Sequence, residues 1–127
     1  MSETVEAIES DRIEAVRKAA TRYGSVVILK GARTLVCDGR VAELPIAVNT
    51  TGNPGMATGG SGDTLTGIVG ALAARGMDAM DAACLGVYLH GAAGDIVVKA
   101  AGQDGLIAGD IGEAIPAAIE ALRRAGS

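Results

Sequence analysis

The sequence predicts an α/β fold, and three observations carry that prediction. A helical apolar period over residues 11–23 leads, past Gly24, into the unbroken run Val26-Val27-Ile28-Leu29. A second segment, Asn49 to Asp63, holds five glycines and one proline and runs straight into the helical pattern Thr64-Leu65-Thr66-Gly67-Ile68-Val69-Gly70-Ala71-Leu72. The composition is 49% hydrophobic but only 2% aromatic, with no Trp or Phe, so the core must be built from Ala, Val, Ile and Leu. A helix feeding a β-branched run is half of an α/β crossover unit, and a continuous apolar run suits a parallel strand buried on both faces.

The elements follow in order. Residues 1–9 are acidic and expected to fray, and Ser10 or Asp11 is expected to cap a helix through Ile13, Val16, Ala19, Ala20 and Tyr23 that Gly24 stops. Lys30-Gly31-Ala32-Arg33 is a short connection with two cations. Thr34 to Cys37 reads as the next strand, Asp38-Gly39 as a hairpin turn and Val41 to Leu44 as its return, with Ile46 to Val48 extending the sheet edge. After the glycine-rich segment, a helix is expected from about Ser61 to Arg75 with Gly76 just past its end. Another is expected from about Asp78 to Ala101, with Cys84, Val87, Tyr88, Gly91 and Asp95 on a small-residue packing face. Gln103 to Leu106 reads as a turn. Asp110 is expected to cap a short helical turn, and Pro116 to open a last helix to Arg124.

Composition narrows the function. At 127 residues the chain is one domain's worth, and the net charge of −4 comes with no basic stripe or aromatic platform, which argues against nucleic-acid binding. The acidic first residues do not form a signal-peptide core, and no apolar run reaches the ~20 residues a bilayer span needs, so a cytoplasmic chain without membrane partners is expected. Cys37 and Cys84 are distant and outside any C-x-x-C pattern, which reads as free thiols in a reducing compartment. His90 alone cannot assemble a His-rich metal site.

A glycine-rich segment entering a helix N-terminus is what phosphate binding requires, because glycines let unpaired N–H groups approach the anion and the helix dipole adds positive charge. Asp63 is the oddity there. A carboxylate facing a phosphate is repelled unless it holds a metal or takes a proton from an attacking hydroxyl. As an alternative, Asp63 is simply a first-turn acid favoured by the dipole. The segment has neither G-x-x-x-x-G-K-[ST] nor G-x-G-x-x-G, so Walker and Rossmann readings fail.

Thr51-Gly52-Asn53-Pro54-Gly55-Met56-Ala57-Thr58-Gly59-Gly60-Ser61-Gly62-Asp63, followed by Leu65-Thr66-Gly67, resembles the signature of the ADP/ATP-dependent NAD(P)H-hydrate dehydratases, the YjeF C-terminal-type branch of the ribokinase-like superfamily. Leu29-Lys30-Gly31-Ala32-Arg33-Thr34 upstream and Gly86-Val87-Tyr88-Leu89-His90-Gly91-Ala92-Ala93-Gly94-Asp95 downstream match in the family's order, so the resemblance runs from Arg12 to Leu122. The implied fold is the C-terminal half of a three-layer α/β/α sandwich with a mainly parallel sheet, residues 1–127 forming a single partial domain.

The resemblance implies repair of hydrated NADH or NADPH, with removal of the added hydroxyl coupled to cleavage of ADP, or of ATP in the eukaryotic branch. Asp63 would be the catalytic base and would also contact the substrate, as would Asn53. Gly59, Gly60, Ser61 and Gly62 would form the anion hole, and Lys30, Gly31, Ala32, Arg33, Thr34 and Gly62 would border the nucleotide. Position alone favours solvated loop charges at Lys30 and Arg33, and the resemblance reverses that preference. Mg²⁺ is expected on the phosphates, and some relatives use K⁺. For His90 and Asp95, packing and hydrogen bonding are expected. The chain is too short for a whole domain of this kind, which implies a homo-oligomer, a partner chain supplying the N-terminal half, or a truncated product. A small-molecule kinase of the same superfamily and a non-catalytic nucleotide-binding remnant are the alternatives.

Overall fold

The computed structural model describes residues 2–31, 33–53, 61–101 and 108–125, with the backbone alone at 2–9, 61–64, 101 and 108–110. It divides into two compact units, residues 1–49 and residues 50–127.

In the first unit, α1 (Ser2–Tyr23) packs on a three-stranded sheet of β1 (Val26–Leu29), β2 (Leu35–Asp38) and β3 (Ile46–Val48), in the order β1-β2-β3. α1 starts at Ser2, so Ser10 and Asp11 are internal to it and the expected fraying over 2–9 gives way to helix. Gly24 closes α1 as expected, its N–H donating to the Ala20 carbonyl at 2.8 Å.

Both strand pairs are antiparallel, with Val27 opposite Cys37 and Cys37 opposite Ile46. Val26–Leu29 therefore does not make the expected parallel pair with its neighbour. The connection to β2 is five residues, whereas a parallel crossover needs about a dozen or more. β1 is half-buried and β2, the central strand, is buried throughout. Leu35 and Cys37 lie two residues apart on the face that meets Val16 and Ala20 of α1, joined there by Val27, Leu29 and Ile46.

The turn begins at Gly39 as expected, but Val41 to Leu44 is not its return strand; Ile46–Val48 takes that place. Val41 is exposed, and Pro45 has no N–H for a ladder while its carbonyl accepts from the Asp38 N–H at 3.1 Å. Asp38 organises the turn. Its carboxylate accepts from the Arg40 N–H at 3.0 Å and from Nε and Nη2 of the same arginine at 2.8 Å each. The Arg40 side-chain bonds, then its backbone N–H, lower the Asp38 pKa from 3.8 to about 2. A carboxylate depressed on folding stabilises above its unfolded value and loses that contribution as pH falls through the folded one. Carboxyl NMR is therefore expected to show Asp38 titrating near pH 2, with the stability gap between the native chain and Asp38→Asn closing between pH 3.8 and about 2. A midpoint at the ordinary 3.8 would remove the bridge from the account.

In the second unit, α2 (Ser61–Ala74), α3 (Ala79–Ala101) and α4 (Ala108–Ala125) form a helical layer with α3 at its centre, packed on both α2 and α4. α2 ends as the sequence implies: Met77 N–H donates to the Leu72 carbonyl and Gly76 N–H to the Ala73 carbonyl, the paired bonds of a Schellman ending. Asp78 caps α3 from just outside it, accepting from the Met80 N–H at 3.0 Å. α3 is long and apolar enough by length and composition to cross a membrane, yet 56% of that apolar window is buried inside the protein.

The core joins Leu89 and Ala93 of α3 to Ile111 and Ala118 of α4, with Leu85, Ala92 and Ile96 packed around them. This face of α3 is distinct from the small-residue face expected from the sequence. α4 is continuous through Pro116, which is internal to it and not its first residue. Ile111 and Ala118, buried on either side of the proline, tie both halves of α4 into the core, and that packing outweighs the one backbone bond the proline removes. The expected turn at Gln103 to Leu106 lies outside the described residues, and Asp110 falls within α4.

Candidate functional site

The glycine-rich segment departs from a clamp on α3. Tyr88, Gly91 and Asp95 are spaced three and four residues apart, which aligns them along one face of the helix. Thr51 Oγ donates to the Tyr88 carbonyl at 2.9 Å. Gly52 N–H donates to Asp95 Oδ2 at 2.9 Å, and Asn53 Nδ2 donates to Asp95 Oδ1 at 2.8 Å. A Cβ at Gly91 would run into the Oγ and carbonyl carbon of Thr51, so only glycine lets the segment lie this close to the helix. Gly52 has φ 107°, a region that a side chain would strain.

The far end of the segment is fixed on the same helix. Ser61, Gly62 and Asp63 form the first turn of α2, whose Leu65 is buried. Gly86 of α3 faces Val69 of α2 so closely that a Cβ there would meet the valine side chain. α3 thus holds both flanks of the glycine-rich segment. The downstream match Gly86 to Asp95 acquires a physical content: two close approaches and one carboxylate clamp.

Of the expected site residues, Pro54 to Gly60, including Gly59 and Gly60, lie outside the described residues, as does Ala32. The backbones of Ser61, Gly62 and Asp63 stand at the start of a 14-residue helix, where the first N–H groups have no intrahelical acceptor. Asn53 has its amide nitrogen engaged by Asp95, while its Oδ1 is buried without a hydrogen-bond partner among the described residues. His90 is buried.

In the first unit Lys30, Gly31 and Arg33 are exposed and Thr34 is half-buried. Arg12 of α1 lies over this connection, its Nη2 donating to the Arg33 carbonyl at 2.6 Å with its guanidinium against Gly31. Asn49 N–H donates to the Thr34 carbonyl at 2.8 Å. Three cations therefore belong to this corner, and Arg12 is the one its helical setting hid. Neither cysteine is poised as a nucleophile. Burial raises the Cys37 thiol, which donates to the Leu44 carbonyl, and burial with Asp81 nearby raises Cys84.

The sequence profile of the NAD(P)H-hydrate dehydratases matches residues 1–117. This chain belongs to that family. It is 54% identical over 107 residues to the bifunctional NAD(P)H-hydrate repair enzyme Nnr of Vibrio cholerae, covering 84% of this chain and 21% of that protein. It is 47% identical over 112 residues to the ADP-dependent (S)-NAD(P)H-hydrate dehydratase of Neisseria meningitidis, covering 87% of this chain and 37% of that one. The crystal structure of the Bacillus subtilis ADP/ATP-dependent NAD(P)H-hydrate dehydratase, co-crystallized with ATP and Mg²⁺, superposes with a TM-score of 0.81 at 28% identity, over 91% of this chain and 41% of that one. The dehydratase-family chain thus spans about one fifth to two fifths of the length of these relatives.

Proposed function

We propose that the chain carries the phosphate-binding and catalytic-base part of an ADP-dependent NAD(P)H-hydrate dehydratase, a lyase of nicotinamide-nucleotide repair. The observation that supports this best is the family's glycine-rich signature running into the N-terminus of α2, with Asp63 in that helix's first turn. In this reading Asp63 takes the proton from the hydroxyl of hydrated NAD(P)H as that oxygen attacks the terminal phosphorus of ADP. The phosphorus–oxygen bond to AMP breaks and AMP leaves. The phosphate ester then eliminates: its carbon–oxygen bond breaks, phosphate leaves, and the adjacent ring carbon gives up a proton to solvent, restoring the ring double bond of NAD(P)H. Backbone N–H groups of Gly59, Gly60, Ser61 and Gly62 receive the developing charge. Lys30, Gly31, Ala32, Arg33, Thr34 and Gly62 border the nucleotide, and Asn53 offers its Oδ1 to substrate. With ATP, ADP would leave in place of AMP.

Mg²⁺ would ride on the nucleotide's phosphates, since such ions are commonly held by phosphate oxygens with few protein ligands. Among the described residues no three His, Cys, Asp or Glu side chains gather into a metal site. K⁺ would accompany it as in some relatives. The fold would be the C-terminal half of a three-layer α/β/α sandwich, residues 1–127 forming one partial domain. A second copy, or a chain with the N-terminal half, would complete the nicotinamide pocket in the cytoplasm. The test is incubation with hydrated NADH, ADP and Mg²⁺, following NADH absorbance. Regenerated NADH with AMP and phosphate supports the reading. A stable phosphorylated alcohol would make the chain a kinase, and nucleotide binding without product a non-catalytic remnant.

A further inference from the structure

We propose that Asp95 is the positioning residue of the glycine-rich segment: one carboxylate grips Gly52 N–H and the Asn53 amide together and sets where the phosphate-binding chain begins. The inference rests on the nucleotide reading above and adds a residue to it. Asp95 stands in the second half of α3, six residues before Ala101, where an acid gains nothing from the helix dipole. It is half-buried, and both its oxygens are used on a segment more than forty residues upstream, at 2.9 and 2.8 Å. A carboxylate accepting two bonds at once fixes direction as well as distance, because its two oxygens are rigidly related.

Thr51 on the Tyr88 carbonyl and the close approach at Gly91 remove the remaining freedom immediately before Gly52. α2, which begins at Ser61, packs on the same helix. Asp95 acts through Gly52 and Asn53, the residues from which the phosphate-binding stretch departs, and itself touches no ligand in this scheme.

The polarity of the pair makes the test sharp. Asn53→Asp sets two carboxylates face to face, and adding Asp95→Asn restores a donor opposite an acceptor, with the charge merely moved across. Gly52 amide exchange by NMR and ADP affinity by calorimetry would be measured on the 127-residue chain. Asp95→Ala, which removes both bonds, and Asn53→Asp, which removes one and sets like charges together, are each expected to speed Gly52 exchange and weaken ADP by about tenfold or more, one charge-assisted hydrogen bond setting the scale. The double variant is expected to recover both to within about threefold, as directly coupled partners do.

A double variant no better than Asn53→Asp overturns the proposal. So does Asp95→Ala with unchanged exchange, or with faster exchange but unchanged ADP affinity. If Asp95→Ala fails to fold, the Asn53→Asp pair still decides. A native chain that binds no ADP overturns the nucleotide reading instead, while Gly52 exchange continues to report on the clamp.

Discussion

Asp63→Asn is expected to lower NADH regeneration by about 10²- to 10⁴-fold, the usual contribution of a positioned general base. The amide is nearly isosteric and keeps the first turn of α2, but it cannot take a proton from the attacking hydroxyl. Its loss should fall on kcat. ADP affinity should hold or rise, because one negative charge beside the phosphates disappears. That split separates chemistry from binding. A variant that retains activity within about threefold would return Asp63 to the role of a first-turn acid, worth ~0.3–1 kcal/mol to the helix and nothing to catalysis.

Gly91→Ala is the second large effect, and its sign depends on the close approach to Thr51. A methyl there has no room, so either α3 or the Thr51–Asn53 strand of chain must shift. Overpacking of this kind costs ~1–3 kcal/mol. If Thr51 moves, its bond to the Tyr88 carbonyl is lost as well, at about 1 kcal/mol. Gly70→Ala in α2 is the control: nothing lies within 4 Å of its added methyl, so the helix should gain by ~0.5–1 kcal/mol. Denaturant unfolding of both variants should show opposite signs. Two alanines with equal effects would mean that Thr51 does not rest on Gly91.

Much of this architecture was legible in the residues. Gly24 and Gly76 closed helices where glycines were expected to, and the glycine-rich segment entered a helix at Ser61 as its composition implied. What failed had local causes that a linear pattern does not contain. The run Val26–Leu29 looks the same whether its neighbour is parallel or antiparallel; a five-residue connection decided it. Pro116 resembles a helix start in sequence, but buried residues on both sides carry the helix through it. Ser10 resembles a cap, yet the acidic residues before it continue the helix.

The candidate site was legible as a signature, which names Asp63 and its glycines because a phosphate-binding loop is built from neighbours in sequence. Asp95 was visible only as a matched position, since its role is to reach Gly52 and Asn53 across more than forty residues. Arg12 looked like one polar residue of an amphipathic helix, and only the fold brings it onto the Gly31–Arg33 connection.

In the proposed function, backbone amides at Gly59, Gly60, Ser61 and Gly62 would receive the terminal phosphate of a nucleotide. An amide-resolved NMR titration with ADP, repeated with AMP, tests it most directly. Saturable shifts are expected at those four amides with ADP and much smaller ones with AMP, which lacks the transferred phosphate. Equal shifts with both nucleotides, or shifts confined to residues 30–34, would contradict it.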